Sequence, residues 1–111
     1  MKFFLDTEFC DRDQQNLPDL ISIGLVSEEG HEFYVEFTDG WNPNHCNTFV
    51  LDVILPLLDA PGVLKLSRQE CSRALIDWLD KISGGQAEVV CDFNLDMDLM
   101  QGLIGECPQI S

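Results

Sequence analysis

Apolar residues fall along this chain in blocks of two different periods. The first block, Phe3-Phe4-Leu5-Asp6-Thr7-Glu8-Phe9, is mostly apolar, as a strand covered on both faces would be. A polar stretch from Asp11 to Asp19, containing Pro18, reads as a loop. Leu20 to Ser27 is rich in branched apolar residues and predicts a second strand. Glu28-Glu29-Gly30 predicts a tight turn, with Gly30 free to take a positive φ. In His31 to Phe37 the alternation sets Phe33, Val35 and Phe37 against Glu32, Tyr34 and Glu36, the period of a half-buried strand. So short a turn makes strands two and three an antiparallel hairpin. The first strand then pairs most simply with the second, which gives a three-stranded meander.

The second half changes period. Thr38 to Thr48 is polar and broken by Gly40 and Pro43, so a loop is expected. From about Asn47, the positions Val50, Leu51, Val53, Ile54, Leu57 and Leu58 predict a helix that Pro56 ends or kinks. Asp59-Ala60-Pro61-Gly62 is a second break. Ser67-Arg68-Gln69-Glu70 is a capping box, with Ser67 as N-cap and Glu70 reaching back from the third position. Behind it, Cys71, Ala74, Leu75, Trp78, Leu79 and Ile82 form one helical stripe, the mark of ordinary core packing, which Gly84-Gly85 stops. Ala87 to Phe93 predicts a fourth strand, buried by composition. Asn94 to Gly105 carries Leu95, Leu99, Met100 and Leu103 at helical spacing. No repeat, low-complexity tract or linker divides the sequence. Residues 1–111 are therefore expected to form a single α/β domain.

Composition narrows the class. A hydrophobic content of 45% with 23% charged residues is that of a globular domain. No apolar run approaches the length of about 18 residues that spans a bilayer. After Met1-Lys2 there is neither a long apolar segment nor a small-residue cleavage site, so no secretory signal is expected. The five cysteines (Cys10, Cys46, Cys71, Cys91 and Cys107) are odd in number and never form a C-x-x-C pair. That spacing argues against a zinc knuckle or a disulfide framework and predicts reduced thiols in a cytoplasmic protein. Twenty acidic against six basic residues give a formal charge of −14, the wrong sign for gripping phosphates directly. Any affinity for nucleic acid then needs bound cations to supply positive charge locally.

Candidate chemistry begins in the first strand. Asp6 and Glu8 are two residues apart, so they project side by side from one face of an apolar ribbon. Neighbouring carboxylates repel each other unless a positive charge sits between them. A hard divalent cation such as Mg²⁺ or Mn²⁺, which takes oxygen ligands, suits that position. The plain alternative is a strand end whose two acids face solvent. A second acidic group, Asp92, Asp96 and Asp98, follows the fourth strand. Helix-dipole stabilisation accounts for Asp98. Asp96, flanked by Leu95 and Met97, is placed to point back toward the opening sheet.

The order of these elements, with the motifs Asp6-Thr7-Glu8-Phe9 and Phe93-x-x-Asp96-x-x-Leu99-Met100, resembles the DEDD superfamily of 3′–5′ exonucleases. The nearest likeness is to its small bacterial exoribonuclease-like branch. The resemblance implies a ribonuclease H-like fold. It also implies that Asp6, Glu8 and Asp96 are metal ligands and catalytic acids of a two-metal (Mg²⁺ or Mn²⁺) phosphodiester hydrolysis at single-stranded RNA or DNA 3′ ends. Asp92 is a weaker carry-over. The family's third motif, a His or Tyr base followed by a fourth Asp, has no counterpart here. No His follows His45, no Asp follows Asp98, and His31 and His45 read as surface residues. The resemblance thus implies an incomplete, C-terminally truncated domain, impaired in catalysis. Apolar surface left bare by the missing elements would favour a homo-oligomer. The rival expectation from the same residues is a catalytically degenerate, acidic binding module for a basic partner.

Overall fold

A computed structural model of the chain describes residues 1–10 and 18–105. Strand β1 runs Lys2–Cys10, β2 Asp19–Ser27 and β3 Glu32–Phe37. A two-residue strand β4, Lys65–Leu66, precedes helix α1, Arg68–Ser83; strand β5, Glu88–Val90, precedes helix α2, Asn94–Ile104. The sheet order is β4-β3-β2-β1-β5. Both β1–β2 and β2–β3 are antiparallel, as the meander requires. β5 joins β1 in parallel, and β4 joins β3 in parallel, so the sheet is mixed. The β2–β3 turn closes through Gly30 N–H on the Ser27 carbonyl at 2.9 Å, with Gly30 at φ +91°.

One face of the sheet holds the main core. Phe3 and Leu5 of β1, Ile23 and Leu25 of β2, and Phe33, Val35 and Phe37 of β3 are all buried there. Cys71, Leu75 and Leu79 of α1, with Leu99 and Met100 of α2, cover them. Trp78 packs edge-on to Phe3 with ring centroids 5.3 Å apart, and lies 5.4 Å from Phe33. The capping box forms as the sequence predicts. Ser67 Oγ accepts from Glu70 N–H at 3.1 Å, and Glu70 Oε1 accepts from Ser67 N–H at 3.0 Å. Gly84 ends α1 in the left-handed conformation at φ +70°.

The other face carries a smaller cluster of Cys10, Ile21, Val50 and Ile54. A register shift between Glu8 and Phe9 makes it possible. The extra residue in β2 lets neighbouring Leu20 and Ile21 serve opposite cores.

Four expectations need correction. The sheet is mixed rather than purely antiparallel, because two of its four ladders join strands through long connections instead of hairpins and are parallel. The fourth predicted strand shrinks to three residues in which only Val89 is buried, and among the described residues the outer side of Glu88 and Val90 is left exposed. The helix expected from Asn47 is a π-helical turn, Val50–Ile54, followed by a 3₁₀ turn, Leu55–Leu57. Pro56, without an amide hydrogen, cannot extend a regular helix there. Cys10 and Cys46 form a disulfide with Cα atoms 4.6 Å apart, where reduced thiols were expected; Cys71 and Cys91 are free. Of the loop predicted from Asp11 to Asp19, residues 11–17 lie outside the described residues, as does Cys107, and Asp19 already belongs to β2.

Two substitutions test this packing. Ser67→Ala should cost about 1 kcal/mol through loss of the cap. Leu75→Ala, in the centre of the core, should cost about 2–5 kcal/mol. Urea unfolding of both variants measures the pair, and equal midpoints would contradict the assignment of Leu75 to the core.

Candidate functional site

β1 is longer than its parallel neighbour. β5 pairs only with Lys2, Phe3 and Phe4, so β1 runs on past the end of that ladder. The chain leaves β5 at the same end, turns through Cys91, Asp92 and Phe93, and enters α2. The first turn of α2 therefore lies at the carboxyl end of two parallel strands, the usual ligand-binding end of such an arrangement. Side chains alternate along β1: Phe3, Leu5 and Thr7 are buried, while Phe4 and Asp6 are exposed and Glu8 is half-buried. Thr7 thus faces α2, and its hydroxyl donates to Asp96 Oδ1 at 2.5 Å across 89 residues of sequence. Both partners are buried. The Asp96 carboxylate is held beneath the residue that separates Asp6 from Glu8. Asp98, on the next part of the helix, and Asp92, before it, are exposed. His31 and His45 are exposed as well, in a loop and in the 3₁₀ turn at Pro43–His45.

The outer face is organised in cross-strand rows. Asp6 stands opposite Gly24, which stands opposite Tyr34; Glu8 stands opposite Ser22, which stands opposite Glu36. Asp6, Thr7, Glu8, Ser22, Gly24 and Tyr34, together with Ile54, Leu57 and Leu58 from the helical turns, line a cleft of about 190 Å³. Glu36 is buried under those turns. It accepts from the Tyr34 hydroxyl at 2.9 Å and from Asp59 N–H at 2.8 Å. Asp59 in turn pairs with Lys65. Burial pushes the Tyr34 phenol above its ordinary range. Its bond to Glu36 and the charges of Glu36 and Glu8 add to that, while a bond from Ser22 pulls the other way.

The electrostatics of Glu8 tie the two acidic groups together. Its carboxyl is held above the ordinary range, first by burial and then by the negative charges of Asp6 and Asp96. All the donors at this end of β1 are carboxylate or hydroxyl oxygens, which fit a hard cation such as Mg²⁺ or Mn²⁺. The same crowding of negative charge is what a cation relieves. The acids surround the strand end without forming a finished cage: among the described residues no three His, Cys, Asp or Glu side chains stand in a ligand array.

Sequence reasoning did not single out Thr7, Ser22, Tyr34 or Glu36. Thr7 carried a signal in retrospect, being a polar residue at an inward position of an apolar strand. Tyr34 and Glu36 carried none, since their place beside Asp6 and Glu8 depends on the register of three strands.

No family model matches the chain. It is similar to two curated proteins of Mycobacterium tuberculosis, one from strain CDC 1551 / Oshkosh and one from strain ATCC 25618 / H37Rv, each named a 3′-5′ exoribonuclease. Each is 38% identical over 80 residues, covering 71% of this chain and 46% of the relative. The chain thus spans about half the length of the curated relatives it matches. The likeness supports a nuclease family.

Two measurements check the site's construction. Thr7→Val leaves the buried Asp96 carboxylate without its hydroxyl donor and should destabilise the protein by about 1–3 kcal/mol. For Glu8 the folded state binds its proton more tightly than the unfolded chain does. Stability is therefore lost as pH rises from the ordinary value of 4.5 through the raised folded value. Glu8→Gln should be more stable than wild type at neutral pH, and the gap should close under acid conditions. A gap independent of pH would place Glu8 outside the acidic crowd.

Proposed function

We propose that the chain carries the catalytic acids of a metal-dependent 3′–5′ exonuclease of the DEDD type. In this reading the domain is ribonuclease H-like and acts on single-stranded RNA or DNA ends. The observation that supports it best is the bond from Thr7 to Asp96, which brings the third acid under the Asp6-Glu8 pair. The parallel pairing of β1 with β5, which sets α2 at the end of β1, agrees with that fold. The names of the two relatives point to the same activity.

Divalent ions bound there would supply Lewis-acid stabilisation of the phosphate and acidify a water nucleophile. The protein's part is to hold oxygen ligands on both sides of the strand end. Asp6 and Glu8 offer theirs from the outer face, and Asp96 offers its own from below. The half-buried setting of Glu8 weakens its affinity for bulk water and strengthens its response to a cation. His31 and His45 are both exposed, one before β3 and one in the 3₁₀ turn, and neither is assigned as a base for proton removal from a nucleophile. Such a base is worth about 10²–10⁴-fold in rate, and slow turnover is expected of this chain alone.

The charge of −14 favours a second reading, an acidic module that binds a basic protein. Digestion of end-labelled single-stranded RNA and DNA with Mn²⁺ decides between them. Stepwise loss of 3′ nucleotides by the wild type, abolished in Asp6→Ala, is the expected result. Titration calorimetry with Mn²⁺ should show heat for the wild type that Asp6→Ala lacks. Identical titrations would remove the metal site, and no shortening at high protein concentration would leave the module.

A further inference from the structure

We propose that Cys10 and Cys46 form a redox-operated latch on one wall of the acidic cleft, closed as a disulfide and released as two thiols. Cys10 is the last residue of β1 and follows shortly after Glu8. Cys46 closes the 3₁₀ turn Pro43–His45 and precedes the turns that carry Ile54, Leu57 and Leu58 to the cleft. The bond between them therefore ties the strand that bears the acids to the segment that walls them.

Little else fastens that segment to the sheet. Among the described residues, the hydrogen bonds of residues 42–58 all stay within the segment. Asn47 Oδ1 accepts from Val50 N–H, for example, and the Asn42 carbonyl accepts from His45 N–H. Attachment to the sheet comes just outside these bounds and from a small apolar cluster. The Trp41 indole donates to the Phe37 carbonyl at 2.9 Å, and Asp59 N–H donates to Glu36 at 2.8 Å. Between them only Val50 and Ile54 are buried, against Cys10 and Ile21, with Leu55 and Leu58 partly so. Phe49, Leu51, Val53 and Leu57 stay exposed. A segment with so few buried apolar contacts opens locally with ease, and a covalent tie is what restrains it.

The two cysteines differ in access. Cys10 is fully buried and Cys46 only partly, so a thiol approaches the bond from solvent through Cys46. Disulfides reachable in this way are the exchangeable ones. A thiolate of an external dithiol attacks the Cys46 sulfur, the S–S bond breaks, and its electron pair leaves on Cys10. The dithiol's second thiolate then displaces Cys46 from the mixed disulfide. Each cysteine takes up a proton that a dithiol sulfur gave up, and the dithiol ends as a cyclic disulfide. Closure runs the other way, a small-molecule disulfide being reduced to two thiols as the Cys10–Cys46 bond forms. Cys71 does not compete in this exchange, because burial pushes its thiol up to about 12 and keeps it protonated. With the latch open, the wall is free to leave the cleft and expose Asp6 and Glu8; with it closed, the wall stays.

The latch governs access to the cleft and stands apart from the reaction the acids perform, so its test needs no cleavage assay. Hydrogen exchange read by mass spectrometry on the full chain, without metal, compares the two states. Reduction with dithiothreitol should speed exchange at residues 47–58 by about tenfold, as local opening does, while α1 keeps its protection. Oxidised glutathione, added after the dithiol is removed, should restore the slow rate. Cys46→Ser should exchange at the fast rate in either reagent. A matching rise across α1 would make the bond a brace of the whole fold and overturn the latch. Equal rates at residues 47–58 before and after reduction would overturn it too, as would a thiol count showing that oxidised glutathione leaves both cysteines free.

Discussion

A single buried hydrogen bond, from the Thr7 hydroxyl to the Asp96 carboxylate, joins the two halves of this molecule where its chemistry is concentrated. Without a donor, a carboxylate placed under a sheet would carry a large desolvation cost. With one, it fixes the first turn of α2 against β1. The bond can form only if β1 presents a polar side chain inward, and Thr7 is the inward residue between Asp6 and Glu8. Strand alternation thus does two tasks at one point. It turns Thr7 toward the helix that must be held and turns the two acids toward the cleft. The parallel β5 strand completes the arrangement by ending early, so that α2 can begin beside the exposed stretch of β1.

How much of this was legible follows from the range of each interaction. The meander, α1 and α2 were readable because hydrophobic period and capping are local properties of the chain. Ser67 and Glu70 announced their helix three residues apart, and the bonds are those the pattern implies. The Asp6–Glu8 pair was legible for the same reason. The approach of Asp96 was inferred from a resemblance, whereas its anchor, Thr7, went unread because the one local signal, a polar residue at an inward strand position, does not say which distant group it meets. Rows such as Glu8, Ser22, Glu36 depend on the register of two ladders, one of them shifted by an extra residue. No spacing rule reaches that far. The Cys10–Cys46 pairing is non-local in the same way, for 36 residues separate the partners and neither sits in a recognisable motif.

The segment from Val50 to Leu57 shows a different limit. Its apolar residues do repeat at helical spacing, but Pro56 denies the chain a regular continuation, and the backbone settles into a π-helical turn followed by a 3₁₀ turn. The consequence is functional in kind. A regular helix would present one stripe to the sheet, whereas the irregular path buries Val50 and Ile54 and leaves Phe49, Leu51, Val53 and Leu57 exposed. It also brings Ile54, Leu57 and Leu58 to the wall of the cleft that Asp6 and Glu8 line.

Electrostatics then explains why so acidic a chain need not be barred from a polyanionic substrate. Burial first, and then the negative charges of Asp6 and Asp96, hold the Glu8 carboxyl above its ordinary range, so the acids repel one another in the folded state. On the proposed reading, a divalent ion bound there would discharge that repulsion and present positive charge outward. Binding of cation and phosphate would then be coupled, each favouring the other through the same small region of space. A basic groove would bind nucleic acid anywhere along its length and at any metal concentration. On the proposed reading, a site built of acids would bind a polyanion only where a cation sits, and the −14 charge elsewhere on the chain would repel the rest of it.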